Sequence, residues 1–124
     1  MIERYRRHAA TLAASTNTTL LTVTNDGEST PSASETVIIG FLIASTQNTA
    51  QTVTVTLTDY YDGTVRKLVD GIPLLANSSV DICPGKMVLM HGLNNASTPV
   101  LTGDIIKVQS SGTTDVVLSV VERV

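Results

Sequence analysis

From Leu20 onward the chain is divided into short apolar or alternating runs bounded by Gly, Pro, Asn, Asp and Ser, the pattern of β-strands joined by turns. The clearest run is Gln51-Thr52-Val53-Thr54-Val55-Thr56-Leu57-Thr58. Strict alternation puts Val53, Val55 and Leu57 on one face and the threonines on the other, which predicts one core face and one wet face. Before it, Leu20 to Thr24 reads as a strand stopped by Asn25-Asp26-Gly27, residues that accept the left-handed conformations of a tight turn. After a polar loop from Ser29 to Ser34, Thr36 to Ala44 (TVIIGFLIA) is almost continuously apolar. Such a strand is covered on both faces: either it is central in its sheet or a partner lies on it.

Further strands are predicted at Thr64 to Val69, Ser78 to Cys83, Lys86 to His91, Ile105 to Val108 and Asp115 to Val121, about eight in all. Regular turn signals between short strands predict an all-β fold, an antiparallel β-sandwich or jelly roll. Residues 17–124 are expected to form one domain, in keeping with a length of 124 residues. Residues 1–16 (MIERYRRHAATLAAST) lack this pattern. They are expected to be an N-terminal basic arm outside the core, extended or partly helical.

Composition strengthens the β assignment. Nineteen threonines supply β-branched side chains suited to a pleated surface, and with no Trp and only Phe41 and three tyrosines the core must be aliphatic. Charge divides the chain: residues 1–8 hold Arg4, Arg6 and Arg7 against Glu3, a surplus of +2, so a net −3 leaves −5 on the rest. That arm either is solvated or lies on an acidic neighbouring surface. The acidic body speaks against nucleic-acid binding. No apolar run approaches the length of a membrane span and the N-terminus lacks a secretion signal, so a soluble protein folded inside a cell is expected. On that expectation the Asn-x-Ser/Thr triplets at Asn17, Asn77 and Asn95 are chance products of a chain rich in these residues.

The chemistry needed for catalysis is sparse. Only His8 and His91 are available as bases; His8 falls in the arm, and His91 ends a strand within possible reach of Cys83 or a serine. Cys83 has no second cysteine to pair with and is expected to be a small buried hydrophobe. Zinc-ligand spacings are absent. Asp59, Asp62 and Asp70 flank one hairpin and offer oxygens to calcium, although aspartate belongs in turns for its local backbone hydrogen bonds. No glycine-rich phosphate loop occurs, no cofactor is expected, and the scarcity of aromatic residues argues against a sugar-binding cleft. Adjacent Tyr60 and Tyr61 point to opposite faces if extended, so one is a candidate interface anchor, as is Phe41 on the long apolar strand.

The elements TVTVTLTD, YYDGTVRKLVDGIPLLANSSVDI, KMVLM, GDIIKVQSS and DVVLSVVE, covering about two thirds of the chain, resemble a pattern in small virion proteins of tailed bacteriophages. The resemblance implies a non-enzymatic structural role: a capsid decoration (cement) protein, or a neck or tail component. It implies a β-sandwich that works as a homo-oligomer, trimers being favoured, on the major capsid protein or other virion proteins. Such a protein would be made in the host bacterial cytoplasm and reside in the virion. Arg4, Tyr5, Arg6 and Arg7 are the expected contacts of the arm, with Phe41, Tyr60 and Tyr61 on the body. The basic arm RYRRH and the step His91-Gly92-Leu93 depart from the family pattern. A domain binding a glycan or host surface, as at a tail tip, is the competing reading.

Overall fold

The computed structural model describes residues 3–24, 35–59, 63–83, 85–89 and 102–123, and every regular element in it is a strand. They are β1 (Glu3–Leu12), β2 (Thr18–Thr24), β3 (Glu35–Ser45), β4 (Gln51–Thr58), β5 (Val65–Leu74), β6 (Ser79–Asp81), β7 (Met87–Leu89), β8 (Thr102–Ser110) and β9 (Thr114–Arg123). Two antiparallel sheets result, one ordered β1-β9-β3-β6 with β7 also on β3, the other β2-β8-β4-β5. β6 pairs with Leu42 to Ala44 and β7 with Thr36 to Ile38. The two are therefore successive pieces of one interrupted strand along the same edge of β3. Counted so, the strand orders are those of an eight-stranded jelly roll.

The expected sandwich is present, and Val53 and Val55 are fully buried with Leu57 packed beside them. From the facing sheet come Ile38, Phe41 and Ile43 of β3 and Val116, Leu118 and Val120 of β9, each at most 1% exposed. Burying one such side chain stabilises the fold by about 1.5–3 kcal/mol. The N-terminal segment differs from expectation. Residues 3–12 pair without interruption to residues 114–123 as an outer strand of the first sheet, and Leu12 is completely buried. Extended conformation was one of the two possibilities for this segment; a place outside the core was not met. The reason is that β9, inside its sheet, has two edges of backbone amides and carbonyls, each of which needs a neighbouring strand. Ala10 and Leu12 extend the inner apolar face far enough for β1 to serve as one.

Four connections cross between the sheets at one end: residues 13–17, 46–50, 75–78 and 111–113. Such short crossovers bring backbone polar groups against an aliphatic core, where each requires a partner. Ser15 donates its amide to the Ser110 carbonyl at 2.7 Å, Asn77 to Gln47 at 3.1 Å, and Ser111 to Thr52 at 3.0 Å. Beneath them Gln51, only 4% exposed, joins two connections and the adjoining ends of β8 and β9. Its Oε1 accepts from Ser110 Oγ at 3.1 Å and lies 2.8 Å from Thr114 Oγ1, while Nε2 donates to Gln47 Oε1 at 2.8 Å and to the Thr113 carbonyl at 3.3 Å. Gly112 closes over this cluster. A methyl group there would stand 2.5 Å from Gln47 Oε1 and 2.7 Å from Gln51 Nε2.

Two substitutions test this end. Gly112→Ala is expected to destabilise by about 1–3 kcal/mol through overpacking. Gln51→Ala should cost about as much by leaving Ser110 and Thr114 without their shared acceptor. Urea unfolding measures both, and a change below about 0.5 kcal/mol in either would remove that residue from the account.

Candidate functional site

Alternation fixes which residues of the first sheet look away from the core. With Phe41, Ile43, Val116 and Leu118 inward, the outer face carries Tyr5, Arg7 and Ala9 of β1, Val117, Ser119 and Val121 of β9, Leu42 of β3 and Val88 of β7. A register shift between Ile38 and Gly40 swings Ile39 onto the same face. Tyr5 is 74% exposed, Ile39 41%, Leu42 44% and Val88 53%. A jelly-roll sheet facing water would alternate apolar-in with polar-out; this face is apolar across three strands. The long run TVIIGFLIA is thus explained twice over: β3 is central in its sheet, and its second face is an uncovered apolar surface.

A hollow of about 340 Å³ opens on this face, lined by Tyr5, Arg6, Arg7, Ile39, Ser119 and Val120. Ser119, one of its lining residues, is paired with Gly40 of β3. Arg6 Nε lies 3.4 Å from Glu122 Oε2, whereas Arg7 has no ion-pair partner among the described residues. The surface therefore combines exposed aliphatic groups, one tyrosine and a guanidinium at its margin, a composition suited to protein contact.

The expected site residues fall out as follows. Tyr5, Arg6 and Arg7 stand together on β1, and the backbone of Arg4 pairs with Glu122. Phe41 is corrected: it is 1% exposed and belongs to the core, because the register shift before Gly40 turns Ile39 and Leu42 outward in its place. Tyr60, Tyr61, Asp62 and His91 lie outside the described residues. His8, expected on a mobile arm, is fixed in β1 opposite Leu118, its Nε2 buried without a hydrogen-bond partner among the described residues. Asp59 pairs with Arg66 and Asp70 with Lys67, each at 3.2 Å. Among the described residues no three candidate ligands cluster to hold a metal. Ile39, Leu42 and Val88 had not been singled out. The signal for the first two was present in the unbroken apolar run, but only the register shift shows which of its residues face out.

Cys83 is buried, its thiol 3.7 Å from the Gly85 carbonyl. Burial first, and the negative charge of Asp81 second, push its pKa above the usual thiol range, against a smaller opposing effect of the Gly85 contact.

No protein-family model matches the chain, and no curated protein matches its sequence. Solved structures do share its fold. A chain of infectious bursal disease virus, Gx strain, superposes with a TM-score of 0.53 at 15% identity, covering 96% of this chain and 32% of the viral one. The VP2 subviral particle of the same virus gives 0.50 at 13%, covering 96% and 32%. A subunit of the Bacillus endospore appendages, which form disulfide-linked pili, gives 0.51 at 14%, covering 98% of this chain and 85% of that one. The chain thus spans about a third of the viral proteins and most of the appendage subunit. At this identity the likeness is one of fold: a jelly roll of the kind found in these particles and pili.

The state of Cys83 is directly testable. Because its pKa is raised, the reactive thiolate is scarcer in the folded protein than in a cysteine peptide at any pH below that pKa. Alkylation by iodoacetamide at pH 8 should therefore be at least about tenfold slower in the native protein and recover in urea. Equal rates would show an accessible, unperturbed thiol.

Proposed function

We propose that this protein is a structural subunit of a virion, without enzymatic activity, that adheres to neighbouring subunits through the outer face of the β1-β9-β3 sheet. The observation that carries the reading is that face: four large apolar side chains exposed on β1, β3 and β7, above a core complete without them. The fold shared with the VP2 subviral particle supports it. More specifically, we read the protein as a capsid decoration protein of a tailed bacteriophage, made in the host bacterial cytoplasm and acting in the virion. Its partners are then copies of itself, as a trimer, and the major capsid protein. A neck or tail position uses the same surface with fewer copies.

Mechanistically this is adhesion without chemistry. Covering a half-exposed Leu, Ile or Val removes enough apolar surface from water to contribute about 1 kcal/mol each, and the arginines at the rim add about 0–1 kcal/mol each. A single contact of this size is weak; many around a shell are not. One observation favours a second reading, a subunit of a filament: the match to the endospore appendage spans 85% of that subunit. Against it stands Cys83, single and buried, where those pili are disulfide-linked.

Leu42→Asp and Ile39→Asp place a charge on the adhesive face without touching the core. Each is expected to keep the wild-type circular dichroism spectrum and to lower co-sedimentation with parent particles at least about tenfold, and electron microscopy should count hundreds of wild-type copies per particle. Wild-type co-sedimentation of Leu42→Asp would remove this face from the mechanism. Growth of the purified chain into filaments would favour the second reading.

A further inference from the structure

The four outer strands of the two sheets are not equally guarded against pairing with another chain. An open strand edge is a row of unpaired amides and carbonyls, and folds blunt it with short strands, bulges, proline or charge. β6 and β7 have three residues each. β2 carries two register shifts against β8. β5 carries two against β4, together with Pro73 and Gly71, whose φ of +61° only glycine adopts readily. Of these devices β1 has only charge. Ten consecutive residues pair in unbroken register with β9 on one side, and no described strand pairs with the other.

That charge is net positive. Arg4, Arg6 and Arg7 outweigh Glu3, and Arg7 is exposed with no ion-pair partner among the described residues. Like charges placed opposite one another across a strand pair are destabilising, whereas opposite charges stabilise it. A basic edge therefore rejects basic or self-similar strands and selects acidic ones. The chain's own described edges are not acidic: a second β1 brings three arginines against one glutamate, β5 brings Arg66 and Lys67 against Asp70, β2 has no charged residue, and β6 is too short.

We propose that the open edge of β1 is a docking site for an extended acidic segment of a partner protein, which adds to the first sheet as a further strand beside β1. Main-chain hydrogen bonds supply the register-independent part of such binding and side-chain charge its selectivity. Carboxylates of the added strand that fall beside Arg7 pair with it on the outer face. The proposal deepens the virion reading by giving the chemistry of the neighbour's docking segment, but it uses the edge, not the apolar face, so the two can fail separately.

The test uses the whole chain and a fluorescent ten-residue peptide of alternating glutamate and valine. Saturable binding below about 1 mM is expected, with slowed hydrogen exchange confined to amides of β1. The same peptide with lysine for glutamate, or with alternate backbone nitrogens methylated so that they cannot donate, should bind at least tenfold more weakly. Arg7→Glu should weaken the acidic peptide by up to about fivefold, and added salt should weaken it for the wild type. Absence of saturable binding overturns the proposal. So does equal binding of the methylated or the lysine peptide. Concentration-dependent protection of β1 without peptide would assign the edge to a second copy and overturn it as well. Particle adhesion lost in Leu42→Asp while this peptide still binds would separate the face from the edge.

Discussion

A jelly roll asks its chain to leave one sheet and enter the other repeatedly, and here every described crossover does so at the same end in five residues or fewer. The constraint is severe because the core beneath that end is aliphatic and can satisfy no polar group. Gln51 resolves it. It begins β4 on the inner face, where the alternation that buries Val53 and Val55 would otherwise place another aliphatic residue, and its amide serves the 46–50 and 111–113 connections at once. The two sheets are thereby fixed at their shared end. Inner faces can interdigitate in only one alignment, and the outer faces follow from the inner ones.

That dependence matters for function because the outer face of the first sheet is defined by register. Val117 and Leu42 lie side by side because Leu118 and Phe41 do. The interruption between Ile38 and Gly40 lets β3 keep Ile38 and Phe41 both inward although they are three residues apart, and the extra residue, Ile39, goes outward. A local irregularity made to fill the core thus adds an aliphatic side chain to the contact surface. The same shift leaves Gly40 beside Ser119, one of the residues that line the hollow.

Much of this was legible in the residues. Alternation in Gln51 to Thr58 identified β4 and its inner face, turn residues marked most of the strand ends, and the doubly apolar run of β3 announced a second apolar face, which the described residues leave exposed. The N-terminal strand was not legible, because RYRRHAA has neither alternation nor β-branched residues. Its strand conformation is imposed by pairing with β9 rather than by local preference, a tertiary effect that overrides propensity. Phe41 was misjudged for a related reason. In a run apolar at nearly every position, periodicity cannot say which residues face in, and a one-residue shift exchanges the faces. Arg7 and Tyr5 were found by charge and size alone, without knowledge of the strand that holds them.

The distribution of apolar surface also bears on the kind of contact that the described residues can make. The aliphatic core is filled from both sheets, and the hollow lined by Tyr5, Arg6, Arg7, Ile39, Ser119 and Val120 is open to the outside. Small-molecule recognition requires enclosure and convergent polar groups, whereas adhesion between proteins requires a flat, exposed apolar area with charge at its margin. The first is missing from the described residues and the second occupies a whole sheet face. Each element of that face is weak alone, of the order of 1 kcal/mol. A domain whose contacts are individually weak and geometrically fixed gains its effect by repetition, since every additional contact on the same lattice acts at high effective concentration. For the structural role we propose, a rigid register is worth more than a deep pocket, and the crossover end built on Gln51 provides one.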